Sequence, residues 1–199
     1  MKALIVVDVQ NDFLPGGALG VPGGNEILPV VNRWMEAFPR IVATRDWHPP
    51  DHGSFAVNHP GGKVFELGEL DGLPQVLWPV HCVQESRGAE FADGLAVDRI
   101  DRVFSKGTRV EVDSYSGFHD NGRRHATGLG DWLRAQGVDE VAVCGLATDY
   151  CVKFTALDAL REGFRTSLIV DACRGVNLEP GDVERAVEEM QSAGVEILK

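Results

Sequence analysis

Short, fully apolar runs alternate along this chain with segments whose apolar residues recur at helical spacing. Ala3 to Val7 is uninterrupted, with Ile5, Val6 and Val7 β-branched. This predicts a central parallel strand buried on both faces. Gly24 to Phe38 places Ile27, Leu28, Val31, Trp34 and Met35 on one side, as an amphipathic helix does. Arg40 to Thr44 reads as a second strand, and Val103 to Ser105 as a short one that delivers Lys106 and Gly107. Thr127 to Gln136 is a helix stopped by Gly137. Glu140 to Cys144 is a buried strand ended by Gly145, and a helix runs on through Lys153 to Arg161 with Thr148 or Asp149 as its cap. Thr166 to Val170 is β-rich. Pro180 to Ala193 is helical, with Pro near its start and Gly194 after its end, and Val195 to Leu198 can form a last strand. Between Pro49 and Pro79 the chain is rich in Pro, Gly and His and predicts no regular element. A loop of that length inside a compact domain is usually functional.

Strands alternating with helices predict an α/β fold. The expected architecture is a three-layer α/β/α domain over residues 1–199, with a mostly parallel sheet of about six strands. In such a sheet the ligand crevice lies beyond the carboxyl ends of the strands. Asp8, Asp46, Lys106 and Cys151 each fall at or just after a different predicted strand end, so they are expected to face one crevice.

Composition narrows the partners more than the chemistry. A hydrophobic content of 44% and a charged content of 25% are those of an ordinary soluble globule. The net charge of −11 argues against nucleic acid and anionic membrane surfaces. The opening apolar run is stopped by Asp8, too short for a signal segment, and no run is long enough to span a bilayer. Cys82, Cys144, Cys151 and Cys173 form no CxxC pair, which predicts reduced thiols and a cytoplasmic setting. Oligomeric state is left open, a homo-oligomer being compatible with the chain.

Cys151 lies in a strand-to-helix turn, where the helix dipole and unpaired backbone N–H groups favour a thiolate and can receive an oxyanion. A cysteine nucleophile also needs a base, and no His adjoins it in sequence. Asp8 can take the thiol proton if burial raises its carboxyl pKa, and Lys106 can steady the thiolate. A second constellation is Asp46, His48, His52 and His81. Asp-x-His at a strand end points both side chains to one side, and a third ligand from His81 would complete an open metal site. His52 is left open between a ligand acting through water and a loop residue. His59, His119 and His125 are read as surface or satisfied core residues.

Seven pieces together carry a family resemblance. They are Val7-Asp-Val-Gln-Asn-Asp-Phe13, Thr44-Arg-Asp-Trp-His48, His52-Gly-Ser-Phe55, Trp78-Pro-Val-His-Cys82, Phe104-Ser-Lys-Gly107, Asp113-Ser-Tyr-Ser-Gly-Phe118 and Cys144-Gly-Leu-Ala-Thr-Asp-Tyr-Cys-Val152. In this order the chain resembles the nicotinamidase/pyrazinamidase branch of the isochorismatase-like cysteine hydrolases, whose fold is Rossmann-like. The resemblance implies Asp8, Lys106 and Cys151 as a catalytic triad. It implies Asp46, His48 and His81 as ligands of one divalent metal, Zn²⁺ first, with Fe²⁺ or Mn²⁺ as alternatives. It implies an oxyanion hole from the N–H groups of Ala147 and Cys151, preceded by a cis Leu146–Ala147 peptide that local sequence does not predict. Phe13, Trp78, Tyr115, Leu146 and Tyr150 match positions around the substrate ring. The implied reaction is nicotinamide to nicotinate and ammonia in pyridine nucleotide (NAD) salvage, with pyrazinamide as a further substrate.

Three rival readings have distinguishing features. Another amidase of the superfamily, acting on a carbamoyl or ureido compound, would generally lack the Asp-Trp-His metal motif. A non-catalytic binding module would be expected to lose Asp8, Lys106 or Cys151. A metal-water hydrolase would keep its activity without the thiol.

Overall fold

The structure, a computed structural model, describes residues 1–199. Six strands form one parallel sheet in the order β5-β2-β1-β6-β7-β8. They are β1 (Lys2–Val7), β2 (Ile41–Asp46), β5 (Arg102–Lys106), β6 (Glu140–Leu146), β7 (Arg165–Arg174) and β8 (Glu196–Leu198). Helices α1 (Leu28–Met35), α2 (Leu129–Ala135), α3 (Lys153–Arg161) and α4 (Asp182–Ala193) supply four of the five crossovers that parallel pairing requires, and the long segment between β2 and β5 supplies the other without an α-helix. The sheet flanked by helices is the predicted α/β architecture.

The apolar runs sit where their composition dictates. Ala3 to Val7 and Val141, Val143 and Cys144 have no exposed surface, and both strands are flanked on either side, so every face must be apolar. From β1 the chain moves outward to β2 and β5, then crosses back to β6 on the other side of β1. The order therefore reverses between β1 and β6, and a crevice opens at their carboxyl ends.

Several boundaries differ from the sequence reading. The first helix is shorter than Gly24–Phe38: a 3₁₀ turn over Gly24–Ile27 precedes α1. The Pro- and Gly-rich stretch is not devoid of regular structure. It holds an antiparallel hairpin, β3 (Leu67–Leu70) and β4 (Leu73–Val76), reversed at Asp71-Gly72, both with positive φ. The hairpin's mixed residues hide its period from sequence inspection. Strand β7 runs on past Asp171, because β6 beside it continues to Leu146. No helix is long and apolar enough to cross a membrane.

Gly145 is what lets β6 reach the site. Its φ is +119°, and a Cβ there would stand 2.1 Å from the carbonyl oxygen of Val7. The β6–β7 register shifts at this point, a bulge that redirects the strand end. Gly145→Ala is expected to lower unfolding stability by roughly 3 kcal/mol or more, read from urea denaturation. A wild-type midpoint would show that β1 can move aside.

Candidate active site

Four strand ends deliver the reactive groups. Asp8 leaves β1 with φ +49°, a left-handed turn that Asp tolerates, and its side chain is fully buried. Asp46 and Lys106 are the last residues of β2 and β5 and are paired in register. Beyond β6 comes a cis Leu146–Ala147 peptide, then a single π-type turn over Thr148–Val152 that closes on the Ala147 carbonyl and carries Cys151 into α3. No side chain caps this turn. The Asp149 carboxylate instead accepts from the Val176 and Asn177 amides, tying down the loop after β7.

Lys106 is the hub, with no exposed side-chain surface. Its three ammonium protons have three acceptors: Asp46 Oδ1 at 2.5 Å, the Ser114 carbonyl at 2.9 Å and Cys151 Sγ at 3.2 Å. Asp8 Oδ2 lies 2.8 Å from the same Nζ as an ion pair but has no aligned hydrogen bond, while Asp8 Oδ1 accepts from Thr44 Oγ1 at 2.6 Å. One buried carboxylate oxygen is thus free to accept a proton. Asp8, Asp46 and Cys151 hold their ligand atoms within 4.8 Å of one another.

Burial sets the resting protonation. It raises the Asp8 carboxyl above its ordinary value against the pull of Lys106. It also pushes the Cys151 thiol well up, with Lys106 opposing and Asp8 reinforcing the rise. Burial thus opposes the thiolate that the helix terminus favours, and Lys106 beside the sulfur offsets part of that cost. Asp46 goes the other way. Burial would raise it, but Lys106 and His48 hold it well below the carboxylate range.

Asp46, His48 and His81 form the second cluster. Their ligand atoms lie within 4.8 Å of one another, with His48 Nε2 and His81 Nε2 at 3.7 and 3.9 Å from Asp46 Oδ2. Each imidazole is anchored by its other nitrogen, His48 Nδ1 to the Gly107 carbonyl and His81 Nδ1 to that of Pro79, both 2.8 Å. Carbonyls only accept, so both Nδ1 atoms carry the proton and both Nε2 lone pairs face the carboxylate. Gly107 permits this packing, since a Cβ there would lie 2.3 Å from His48 Cε1. Asp46 is itself clasped by Gln10, whose side-chain amide accepts from its N–H and donates to its carbonyl, both at 2.8 Å. Two imidazoles and a carboxylate, oriented in this way, fit a divalent metal.

His52 is fully buried with its ring 4.2 Å from that of His48. Its Nδ1 lies 2.7 Å from Ser54 Oγ and 3.2 Å from the Ser54 amide, its Nε2 has no hydrogen-bond partner, and its ligand atom stands within 4.8 Å of those of His48 and Asp113. His59, His119 and His125 bond to the Gly53 carbonyl, Glu162 and Asp120, as structural residues do.

A narrow cavity of about 30 Å³ opens between the two clusters. Phe13, Trp78, Tyr115 and Tyr150 line it with Asp46, His48, His81, Ala147 and Cys151. Leu146 does not; its side chain is fully buried against Gly24, on the core side of the turn. Leu19, Asp113 and Val176 also line the cavity and were not singled out by the sequence. Asp113 belongs to a quoted motif piece, a signal that could have found it, whereas Leu19 and Val176 lie in loops with no pattern. Arg45, the one Arg in those pieces, stacks over Trp47 at 3.8 Å and stays out of the cavity.

Comparison with known proteins places this geometry. The isochorismatase domain model matches residues 2–199. The chain is 52% identical over 197 residues to the nicotinamidase of Escherichia coli, covering 97% of this chain and 92% of that one. The structure of the yeast nicotinamidase bound to the inhibitor nicotinaldehyde superposes with a TM-score of 0.95 at 33% identity, covering 100% of both chains. The pyrazinamidase of Pyrococcus horikoshii in complex with zinc gives 0.81 at 45% identity, covering 100% of this chain and 98% of the other.

Proposed function

Because this chain belongs to the isochorismatase domain family, we propose that it acts as a nicotinamidase, hydrolysing nicotinamide to nicotinate and ammonia and accepting pyrazinamide as well. Its curated relatives indicate a hydrolase of amide C–N bonds. The observation that carries the finer reading is the cavity itself, which sets a thiol, a base and a metal-binding set around an aromatic-lined space. A planar heteroaromatic amide uses all of these, and a cavity with no Arg suits a neutral substrate.

Asp8 Oδ2 takes the thiol proton as Cys151 Sγ attacks the amide carbonyl carbon. Lys106 stabilises the sulfur while it carries charge, and the N–H groups of Ala147 and Cys151 receive the oxyanion. Protonated Asp8 then gives its proton to the amide nitrogen, the C–N bond breaks, and ammonia leaves a thioester on Cys151. Asp8 next takes a proton from water, which attacks the thioester. The thiol is restored and nicotinate released. A divalent metal held by Asp46, His48 and His81 would supply Lewis-acid binding of the ring nitrogen, directly or through water, and so orient the ring; Zn²⁺ is favoured by the zinc complex of the Pyrococcus relative. The four free, buried cysteines support a reducing cytoplasmic setting, and the proposed product, nicotinate, suits a role in NAD salvage.

The test is ammonia release from nicotinamide by the purified protein, with metal analysis. The expected result is turnover with about one divalent ion per chain. Removing that ion with a chelator should cut activity at least about tenfold, and Zn²⁺ should restore it. No turnover, with no bound metal, would move the assignment to a carbamoyl- or ureido-amidase of the family.

A further inference from the structure

The β3–β4 hairpin lies outside the main sheet, yet one of its residues points inward. Pro74 is exposed and Leu73 and Val76 are partly buried, but Gln75 is only 3% exposed. A polar side chain turned inward from a small hairpin needs hydrogen-bond partners. Gln75 Nε2 has three acceptors within reach: the Val76 carbonyl at 2.8 Å, Asp113 Oδ2 at 2.9 Å and Tyr115 Oη at 3.2 Å. The indole N–H of Trp78 donates to the same Tyr115 hydroxyl at 3.3 Å. Tyr115, Trp78 and Asp113 all line the cavity, whereas Gln75 does not.

Asp113 depends on this amide. Its Oδ1 accepts from the Ser114 N–H at 2.8 Å, and Gln75 is the one hydrogen-bond donor to its Oδ2. Removing the amide leaves a buried carboxylate oxygen unpaired, and leaves the indole N–H of Trp78 as the one hydrogen bond to the Tyr115 hydroxyl. Tyr115 stands edge-on to Tyr150 at 5.5 Å and to Trp78 at 6.4 Å, so its displacement would disturb three of the aromatic walls together.

We propose that Gln75 is a positioning residue for substrate binding: from the hairpin it fixes Tyr115, Trp78 and Asp113 in the geometry that grips a heteroaromatic ring. Gln75 touches neither Cys151 nor Asp8, so its loss should be felt in binding and not in bond-making. The inference rests on the nicotinamidase reading for its substrate, not for its structural content.

The experiment compares wild type, Gln75→Met, Tyr115→Phe and the double variant by two readouts. With nicotinamide, Gln75→Met should raise KM about tenfold and leave kcat within about threefold. The double variant should fall short of the product of the two single effects, because both changes remove the Gln75–Tyr115 contact, while Gln75→Met also unpairs Asp113 and Tyr115→Phe also unpairs the Trp78 indole N–H. The second readout needs no substrate: iodoacetamide labelling of Cys151, followed by peptide mass spectrometry, should be at least about threefold faster in Gln75→Met as the wall loosens. If wild type turns over nicotinamide, an unchanged KM, an equal fall in kcat, or additive effects in the double variant overturn the proposal. If wild type is inert, the nicotinamidase reading fails by itself, and the labelling rate decides: faster labelling sustains the role of Gln75 and an unchanged rate removes it. Should Gln75→Met not fold, Gln75→Asn, which withdraws the amide by one methylene, must show the raised KM, and an unchanged KM in it overturns the proposal.

Discussion

Cys151→Ala is expected to lower kcat for nicotinamide by at least about 10³-fold while leaving the cavity and its metal-binding set in place. Nothing else in the cavity can form the acyl intermediate. Cys82, Cys144 and Cys173 are buried and do not line it, and none of them has the Lys106 ammonium within hydrogen-bond distance as Cys151 does. Cys151→Ser is the sharper comparison. It keeps a hydroxyl where the thiol was, but a hydroxyl is far harder to deprotonate, and Asp8 is too weak a base for it. The serine variant should therefore fall almost as far as alanine, with metal content unchanged. Substantial activity in Cys151→Ser would transfer the nucleophile's role to a metal-bound water and make the thiol structural.

Lys106→Met should show the second large effect, in stability as well as activity. The ammonium stands between the carboxylates of Asp8 and Asp46, all three buried. Methionine fills much of the space but leaves two anions facing each other in a low dielectric. Breaking a buried pair in this way costs about 3–5 kcal/mol. The pH dependence follows from Asp8. Its carboxyl is already raised by burial, and loss of the opposing lysine raises it further. The folded state then binds a proton that the unfolded chain releases, so stability is present below the ordinary carboxyl pKa and is lost as pH rises through the folded value. With chelator present, the urea midpoint of the variant should climb as pH is lowered. A loss under about 1 kcal/mol would mean that Lys106 is not what reconciles the two carboxylates.

The fold was legible wherever a single period governed a segment. Ala3 to Val7 and Val141 to Cys144 announce buried parallel strands because no other element tolerates so continuous an apolar run at that length. The hairpin was not legible, since Leu67 is exposed, Gln75 is buried, and neither alternation nor β-branching marks the strands. At the site, the strand-end rule brought Asp8, Asp46, Lys106 and Cys151 to one crevice, and the structure holds them there. The helix terminus beside Cys151 can be seen in sequence, while the burial that opposes its ionisation cannot. Leu146 was assigned by its neighbours in the motif, but a bend in the backbone turns its side chain into the core. Gln75 does its work through contacts with residues remote in sequence and no local pattern advertises it, whereas Gln10, which clasps Asp46, lies inside the first motif piece and could have been found there.

The reversal of strand order between β1 and β6 has a consequence for how the molecule comes into being. Its reactive groups arrive from four adjacent strands of which the last, β6, is made after more than two thirds of the chain. Until β6 docks against β1, Lys106 has no sulfur beside it. A nascent chain ending before residue 151 carries Asp8, Asp46 and Lys106 but lacks the thiol they surround, so the reactive set is completed only by the last of its four strands to be made.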